Sequence, residues 1–171
     1  MTELLAADEP SPVRVLREHA PSVLFLTADH AGRAVPRLLG RLGLPESELV
    51  RHIAWDIGIA GVTERLSALL DATAVMQRYS RLVIDCNRDP AVPSSIPEVS
   101  EATEVPGNIG LSQAQRSVRR QAIFQPYHAR IDALLDARQA AERRTVYVAM
   151  HSFTPVFKGE SRASLSRAII V

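Results

Sequence analysis

The sequence predicts a three-layer α/β domain with a mixed, mostly parallel sheet. Three observations carry this. Short apolar runs at Val23–Leu26, Leu82–Ile84 and Val146–Ala149 each lead into a polar cluster. The clusters are Thr27-Ala28-Asp29-His30-Ala31-Gly32, then Asp85-Cys86-Asn87-Arg88, then His151-Ser152-Phe153-Thr154-Pro155. Open α/β folds place their sites beyond the carboxyl ends of strands in this way. Segments of helical period separate the runs, and that alternation implies parallel pairing with helices on both faces. The length, 171 residues, suits one domain with a core that needs no covalent staples.

Residues 1–20 are expected to be an irregular, partly mobile lead-in, with residues 21–171 forming the single domain. Ser22 to Thr27, entered after Pro21, reads as a buried strand. Gly32 to Pro45 reads as a loop with a short helical piece at Leu38–Leu42. A helix is expected from Asp56, with Val62, Leu66, Leu69 and Leu70 on one apolar face. Thr73–Gln77 and Arg81–Asp85 read as two further strands. Asp89–Gly110, with Pro90, Pro93, Pro97 and Pro106, reads as a long irregular loop, either a substrate cover or simply mobile. Ser112 and Gln115 form a capping-box signature. In the helix that follows, Ile123, Tyr127, Ile131, Leu134 and Leu135 make the apolar stripe. Pro126 predicts a kink or break near Phe124–Gln125. Thr145–Ala149 is expected to be a central strand and Ala168–Val171 a last one.

A formal net charge of +1 argues for neither nucleic acid nor anionic membrane as a partner. Arg116, Arg119 and Arg120 read as a solvated helix face. The single cysteine, Cys86, excludes an internal disulfide framework. Its two readings are a nucleophile and a small buried residue. Met1–Pro12 is acidic, with neither a basic start nor a long apolar run, so neither signal peptide nor membrane span is expected. Cytoplasm is the default location.

Asn87 and Arg88 are of the residue types that hold a carboxylate, a planar fork of donors beside an amide. Arg81 either joins them or lies on the surface, and Asp85 either pairs with these arginines or faces the site. His30 and His151 follow predicted strands, as metal-binding imidazoles could. Asp56 is the leading third ligand, although Asp at a helix start is also a favoured N-cap. Asp29 could orient an imidazole. His52 is a weaker candidate, and His19 and His128 weaker still, the latter suited to a hydrogen bond at the kink.

Several segments in order resemble the N-formylglutamate amidohydrolase family. They are Asp29-His30-Ala31-Gly32 with Pro36, His52-Ile53-Ala54-Trp55-Asp56-Ile57-Gly58, and Tyr79-Ser80-Arg81-Leu82-Val83-Ile84-Asp85-Cys86-Asn87-Arg88. Pro106-Gly107-Asn108, Pro126-Tyr127-His128 and His151-Ser152-Phe153-Thr154-Pro155 complete the set. The resemblance runs from about Val23 to Arg162. It implies a phosphorylase/hydrolase-like sandwich, similar to zinc carboxypeptidases and aspartoacylases. It also implies a zinc-dependent amidohydrolase of amino-acid metabolism, in histidine degradation or a related salvage route. The implied reaction is hydrolysis of a small anionic N-acyl amino acid, N-formyl-L-glutamate giving formate and L-glutamate. Carried over, His30 and His151 are metal ligands, and Asn87 with Arg88 is the carboxylate clamp.

Two departures stand out. Zinc carboxypeptidases place a Glu three residues after the first His, where this chain has Arg33, and that moves the third ligand to Asp56. Related enzymes also place a general base late in the chain. Here Glu160 is the only carboxylate after His151, beside Gly159 in what reads as a surface turn, so the base is unassigned. The sequence reads as a shortened member of the family, a fragment of a longer one, or a form that uses another residue as base; missing strands would leave an exposed sheet edge suited to homo-oligomer formation. The competing function is a non-catalytic member that binds small carboxylates without turnover.

Overall fold

A computed structural model describes residues 3–154 and the backbone of Val156–Phe157 and Glu160–Ser161. Its main sheet has four strands in the order β1-β3-β2-β6. These are β1 (Val13–Leu16), β2 (Leu24–Ala28), β3 (Thr73–Gln77) and β6 (Val146–Ala149). β2 runs parallel to both β3 and β6, while β1 is antiparallel to β3. The sheet is therefore mixed and mostly parallel, as expected. β1 corrects the irregular lead-in: Val13 and Val15 pack against the core, and β1 covers the edge of β3.

Side-chain alternation sorts β2 between two helical layers. Leu26 and Ala28 turn to the face covered by α2 (Ile59–Leu69), together with Ala74, Met76 and Ile59. Phe25 turns to the face covered by α4 (Gln125–Ala140), with Val75, Tyr127 and Ile131. The expected stripe of α2 is overturned. Its buried residues are Ile59, Thr63 and Ser67, whereas Leu69 is 81% exposed and Val62 and Leu70 are exposed too. Small side chains let this helix lie close to Ala72 and Ala74, and the Ser67 hydroxyl donates to the Ala72 carbonyl at 2.7 Å.

On the other face, α3 (Gln113–Arg119) begins with the expected capping box at Ser112 and Gln115. Pro126 produces no break. The helix widens into a π segment, Arg120–Phe124, and continues as α4. Widening absorbs the hydrogen bond that Pro126 cannot donate and leaves room for its ring. The expected stripe Ile123, Tyr127, Ile131 and Leu134 is buried. Arg119 is a correction: only 2% of its surface is exposed, so it is not on a solvated face.

The expected strand Arg81–Asp85 is a turn. Leu82, Val83 and Ile84 are buried in the core without a sheet partner. An apolar run of this length does not distinguish a strand from a buried turn. Asp89–Gly110 is pinned rather than a free loop. It contains two 3-10 turns and a short hairpin of β4 (Val99–Ser100) and β5 (Thr103–Glu104), with Ile96, Val105 and Asn108 buried. The Leu38–Leu42 helical piece is a 3-10 turn at Arg37–Leu39, followed by α1 (Glu46–Leu49). β6, expected to be central, is an edge strand among the described residues, with Val146 and Tyr147 exposed. A further two-residue hairpin pairs β7 (Val156–Phe157) with β8 (Glu160–Ser161). The expected strand Ala168–Val171 and the side chain of Glu160 lie outside the described residues.

Candidate metal centre and carboxylate clamp

The register of three strands assembles the site. Parallel pairing aligns Thr27 of β2 with Ala149 of β6, so the chain leaves both strands at the same end. The Met150 amide donates to the Thr27 carbonyl at 2.7 Å, extending that alignment to His30 and His151. Their rings stand 5.2 Å apart between centroids. Gly32 lets the chain turn tightly against β3: a Cβ there would lie 1.9 Å from the Arg78 carbonyl oxygen. Asp56 is tied to this end by its own amide, which donates to the His30 carbonyl at 3.0 Å.

Asp56 is not an N-cap. Gly58 occupies that position with φ 82°, and no side chain caps α2. The Asp56 carboxylate is free to face the histidines. Its Oδ2 accepts from His151 Nδ1 at 3.0 Å and from the Ser152 amide at 3.3 Å. Its Oδ1 lies 3.5 Å from His30 Nδ1. One ligand atom from each of His30, Asp56 and His151 falls within 4.8 Å of the others. Two imidazoles and a carboxylate at such spacing can hold a divalent metal ion.

Asp85 explains why His30 presents Nδ1. Its Oδ1 lies 2.7 Å from His30 Nε2, so a neutral His30 carries its proton on Nε2 and turns the Nδ1 lone pair towards Asp56. Nδ1 is buried and has no hydrogen-bond partner among the described residues. Sequence reasoning missed this His30–Asp85 pair, which joins residues 55 positions apart; a histidine that could bind metal was the signal to seek a carboxylate for its second nitrogen. Burial opposes charge on His30, but the Asp56 and Asp85 carboxylates outweigh it and raise its pKa. Burial would also raise both aspartates. For Asp56, the hydrogen bond with His151 and the nearness of the His30 ring win; for Asp85, bonding to His30 wins, and Arg81 assists in both cases. Each carboxyl is held well below the usual carboxylate range.

The arginines converge on the same turn. Arg81 donates through Nη2 to Asp85 Oδ2 at 2.8 Å, and Arg88 donates through Nε to that oxygen at 3.3 Å. Arg81 also lies 3.6 Å from Asp56 Oδ1, so it faces the site rather than only the surface. The Arg88 side chain remains 49% exposed, which leaves its terminal donors towards solvent. Asn87 places its amide nitrogen 3.5 Å from His151 Nε2. A cavity of about 280 Å³ opens beside Arg81, Asp85 and Arg88, walled opposite by His52, Ser100 and Glu101. Residues of the segment expected as a cover therefore form one wall.

The other candidates separate. The Tyr127 hydroxyl donates to Asp29 Oδ1 at 2.6 Å, while Asp29 Oδ2 lies 3.8 Å from His151 Nε2, beyond a hydrogen bond. Tyr127 was legible only as a core residue. His52 pairs with Glu101 at 2.9 Å and does not join the cluster. His19 is exposed, and Arg33 pairs with Glu46 at 2.8 Å. Cys86 is buried with its thiol pushed up to about 12 by burial, so it holds its proton and is no nucleophile.

Comparison with known proteins agrees with this picture. The family model for N-formylglutamate amidohydrolase matches residues 22–170. The crystal structure of a gene product from Agrobacterium tumefaciens is similar at 42% identity and a TM-score of 0.91. The match covers 93% of this chain and 63% of that one. An N-formylglutamate amidohydrolase from Ralstonia eutropha shares the fold at 19% identity and a TM-score of 0.67, with 84% of this chain and 58% of that one covered. This chain thus spans less than two thirds of either protein. Among curated proteins, none matches. By the extent of the family match, the chain belongs to the N-formylglutamate amidohydrolase family.

Proposed function

We propose that the protein is a metal-dependent amidohydrolase that cleaves N-formyl-L-glutamate, or a close N-acyl amino acid, into a carboxylic acid and the free amino acid. The observation that carries this reading is the buried, unpartnered Nδ1 of His30, aimed at Asp56 with His151 alongside and two guanidiniums close by. A ring nitrogen kept free by a carboxylate on its other side fits a metal ligand. His30, Asp56 and His151 would hold the ion, and zinc suits their two nitrogens and one oxygen. When bound, the metal would polarise the acyl oxygen and acidify the attacking water.

The remaining work falls to side chains. Arg88 and Asn87 would grip a substrate carboxylate, with Arg81 completing the positive wall. Holding that carboxylate fixes where the scissile amide lies relative to the metal ligands. In hydrolysis, water oxygen adds to the acyl carbon, the C–N bond breaks, and the amine nitrogen gains a proton. Asp56 already lies beside the Arg81 guanidinium, and Asp85 beside those of Arg81 and Arg88. Asp29 keeps Oδ1 on the Tyr127 hydroxyl and turns Oδ2 towards His151. We assign it the transfer of that proton.

No helix among the described residues is long and apolar enough to cross a membrane. A single, buried, reduced cysteine supports a cytoplasmic location. Among the described residues β6 is an edge strand, which supports self-association.

The test is formate release from N-formyl-L-glutamate by zinc-loaded protein. Release should stop with a chelator and in Asp29→Asn, with the variant retaining its metal. Bound metal and bound glutamate without release would assign the second reading, a carboxylate-binding member without turnover. An Asp29→Asn variant as active as wild type would remove Asp29 from the mechanism.

A further inference from the structure

The turn that carries Asp85, Asn87 and Arg88 belongs to no ladder; a backbone bond from the Asp85 amide to the Ser95 carbonyl at 2.7 Å ties it, and three of its carbonyls are taken by side chains from elsewhere. Asn108 Nδ2 donates to the Leu82 carbonyl at 2.9 Å. Arg119 Nη1 donates to the Val83 carbonyl at 3.1 Å. His128 Nε2 meets the Cys86 carbonyl at 2.9 Å. A carbonyl only accepts, so this nitrogen carries the ring proton. Arg119 also ties Asn108 Oδ1 at 2.6 Å and the Gly107 carbonyl at 2.9 Å, making one buried unit of Arg119 and Asn108.

Arg119 is an expensive residue to bury here. Its guanidinium meets neutral oxygens, those of Val83, Asn108 and Gly107, and burial lowers its pKa to about 10. A buried guanidinium spent on carbonyls of a functional turn and its neighbour serves geometry rather than charge pairing. The helix is shaped to match. Arg119, Ile123 and Tyr127 follow at four-residue spacing, which in an ordinary α-helix drifts by about 40° per step. The π segment Arg120–Phe124 takes up that drift, since its i→i+5 bonding fits more residues into a turn. Arg119, Ile123 and Tyr127 are all buried, and His128 comes next to Tyr127 with its ring 4.2 Å from that of Phe124.

We infer that Arg119 and His128 are positioning residues of the carboxylate clamp, holding the Val83 and Cys86 carbonyls so that Asn87 and Arg88 keep the spacing a substrate carboxylate requires. This rests on the amidohydrolase reading of the same site. Neither residue lines the cavity beside Arg88, so their loss should weaken substrate binding and leave the chemical step and the metal in place.

His128→Phe keeps a ring against Phe124 but has no donor, and His128→Gln restores a side-chain N–H. The measurements are kcat and KM for N-formyl-L-glutamate, the Kd of L-glutamate by calorimetry, and zinc content, all on the full zinc-loaded chain. In His128→Phe, KM and Kd should rise about tenfold with kcat changed less than about twofold and zinc content unchanged. His128→Gln should recover most of the loss. Arg119→Lys, which keeps the charge but not the fork, should shift KM in the same direction. Wild-type KM and Kd in His128→Phe, or a fall in kcat alone, would overturn the inference. A wild-type protein that binds glutamate without hydrolysing it would sink the amidohydrolase reading, while the Kd comparison would still decide the positioning role. A wild-type protein that does neither overturns both.

Discussion

The two halves of the site are held in opposite ways. His30 and His151 leave neighbouring parallel strands, and the β2–β6 ladder aligns them before any side chain contributes. Asn87 and Arg88 leave an irregular turn that borrows its fixings from Asn108, Arg119 and His128. A ladder positions through repeated backbone bonds, so no single side chain carries the geometry. The turn has only isolated backbone bonds, such as that from the Asp85 amide to the Ser95 carbonyl, and otherwise depends on a few side chains and on its buried apolar face. Metal binding should therefore withstand distant substitutions that disturb the grip on a carboxylate. Asp85 joins the halves, accepting from His30 on one oxygen and from both arginines on the other.

The sharpest way to break this contrast is to empty the core beneath the turn. Ile84 is fully enclosed, so Ile84→Ala should cost about 2–5 kcal/mol in chemical denaturation. An unchanged denaturation midpoint would mean that the turn does not rest on its apolar side. Arg88→Ala removes a charge-assisted grip and nothing from the metal cluster. KM for N-formyl-L-glutamate should rise roughly 10- to 150-fold, corresponding to about 1.5–3 kcal/mol, with zinc content preserved. Asp85→Asn should touch both halves at once. Zinc affinity is expected to fall about 10- to 100-fold, and KM to rise as well, because the amide no longer orients His30 or neutralises the arginines. An effect on only one half would show that Asp85 does not bridge them.

The smallest effect is pH-dependent and belongs to the metal-free protein. Asp56 and Asp85 have depressed pKa values, so their stabilisation is present above about pH 4, the unfolded carboxylate range, and is lost as pH falls through the folded values. His30 is raised, so its contribution is full below about pH 6.5 and is lost as pH rises through the folded value. With chelator present, the melting temperature should peak between those limits, and the peak should flatten in Asp85→Asn. A curve of the same shape in both proteins would remove the cluster as its source.

This contrast also explains what could be read from the sequence. β2, β3 and β6 were legible because short apolar runs bounded by turn residues state a strand directly, and both histidines followed from them. Leu82–Ile84 has the same local appearance, yet it packs in a core shared with α3, α4 and the Pro-rich segment, and its carbonyls at Leu82 and Val83 meet Asn108 and Arg119, far along the sequence. The buried roles of Arg119 and Tyr127 were hidden for the same reason, since their partners lie at Val83, Asn108 and Asp29. The stripe on α2 misled because the close approach to Ala72 and Ala74 selects Thr63 and Ser67 over larger residues. Asp56 was singled out despite its N-cap alternative; the structure puts it beside His30 and His151, and the cap itself belongs to Gly58 two positions later.

In the proposed function His30, Asp56 and His151 form one metal centre on which turnover depends. Its most direct test is zinc stoichiometry by calorimetry and elemental analysis in wild type and Asp56→Asn, with formate release followed on the same samples. We expect one zinc per chain in wild type, none retained in the variant, and release lost with the metal. Undiminished formate release by metal-free wild-type protein would contradict it.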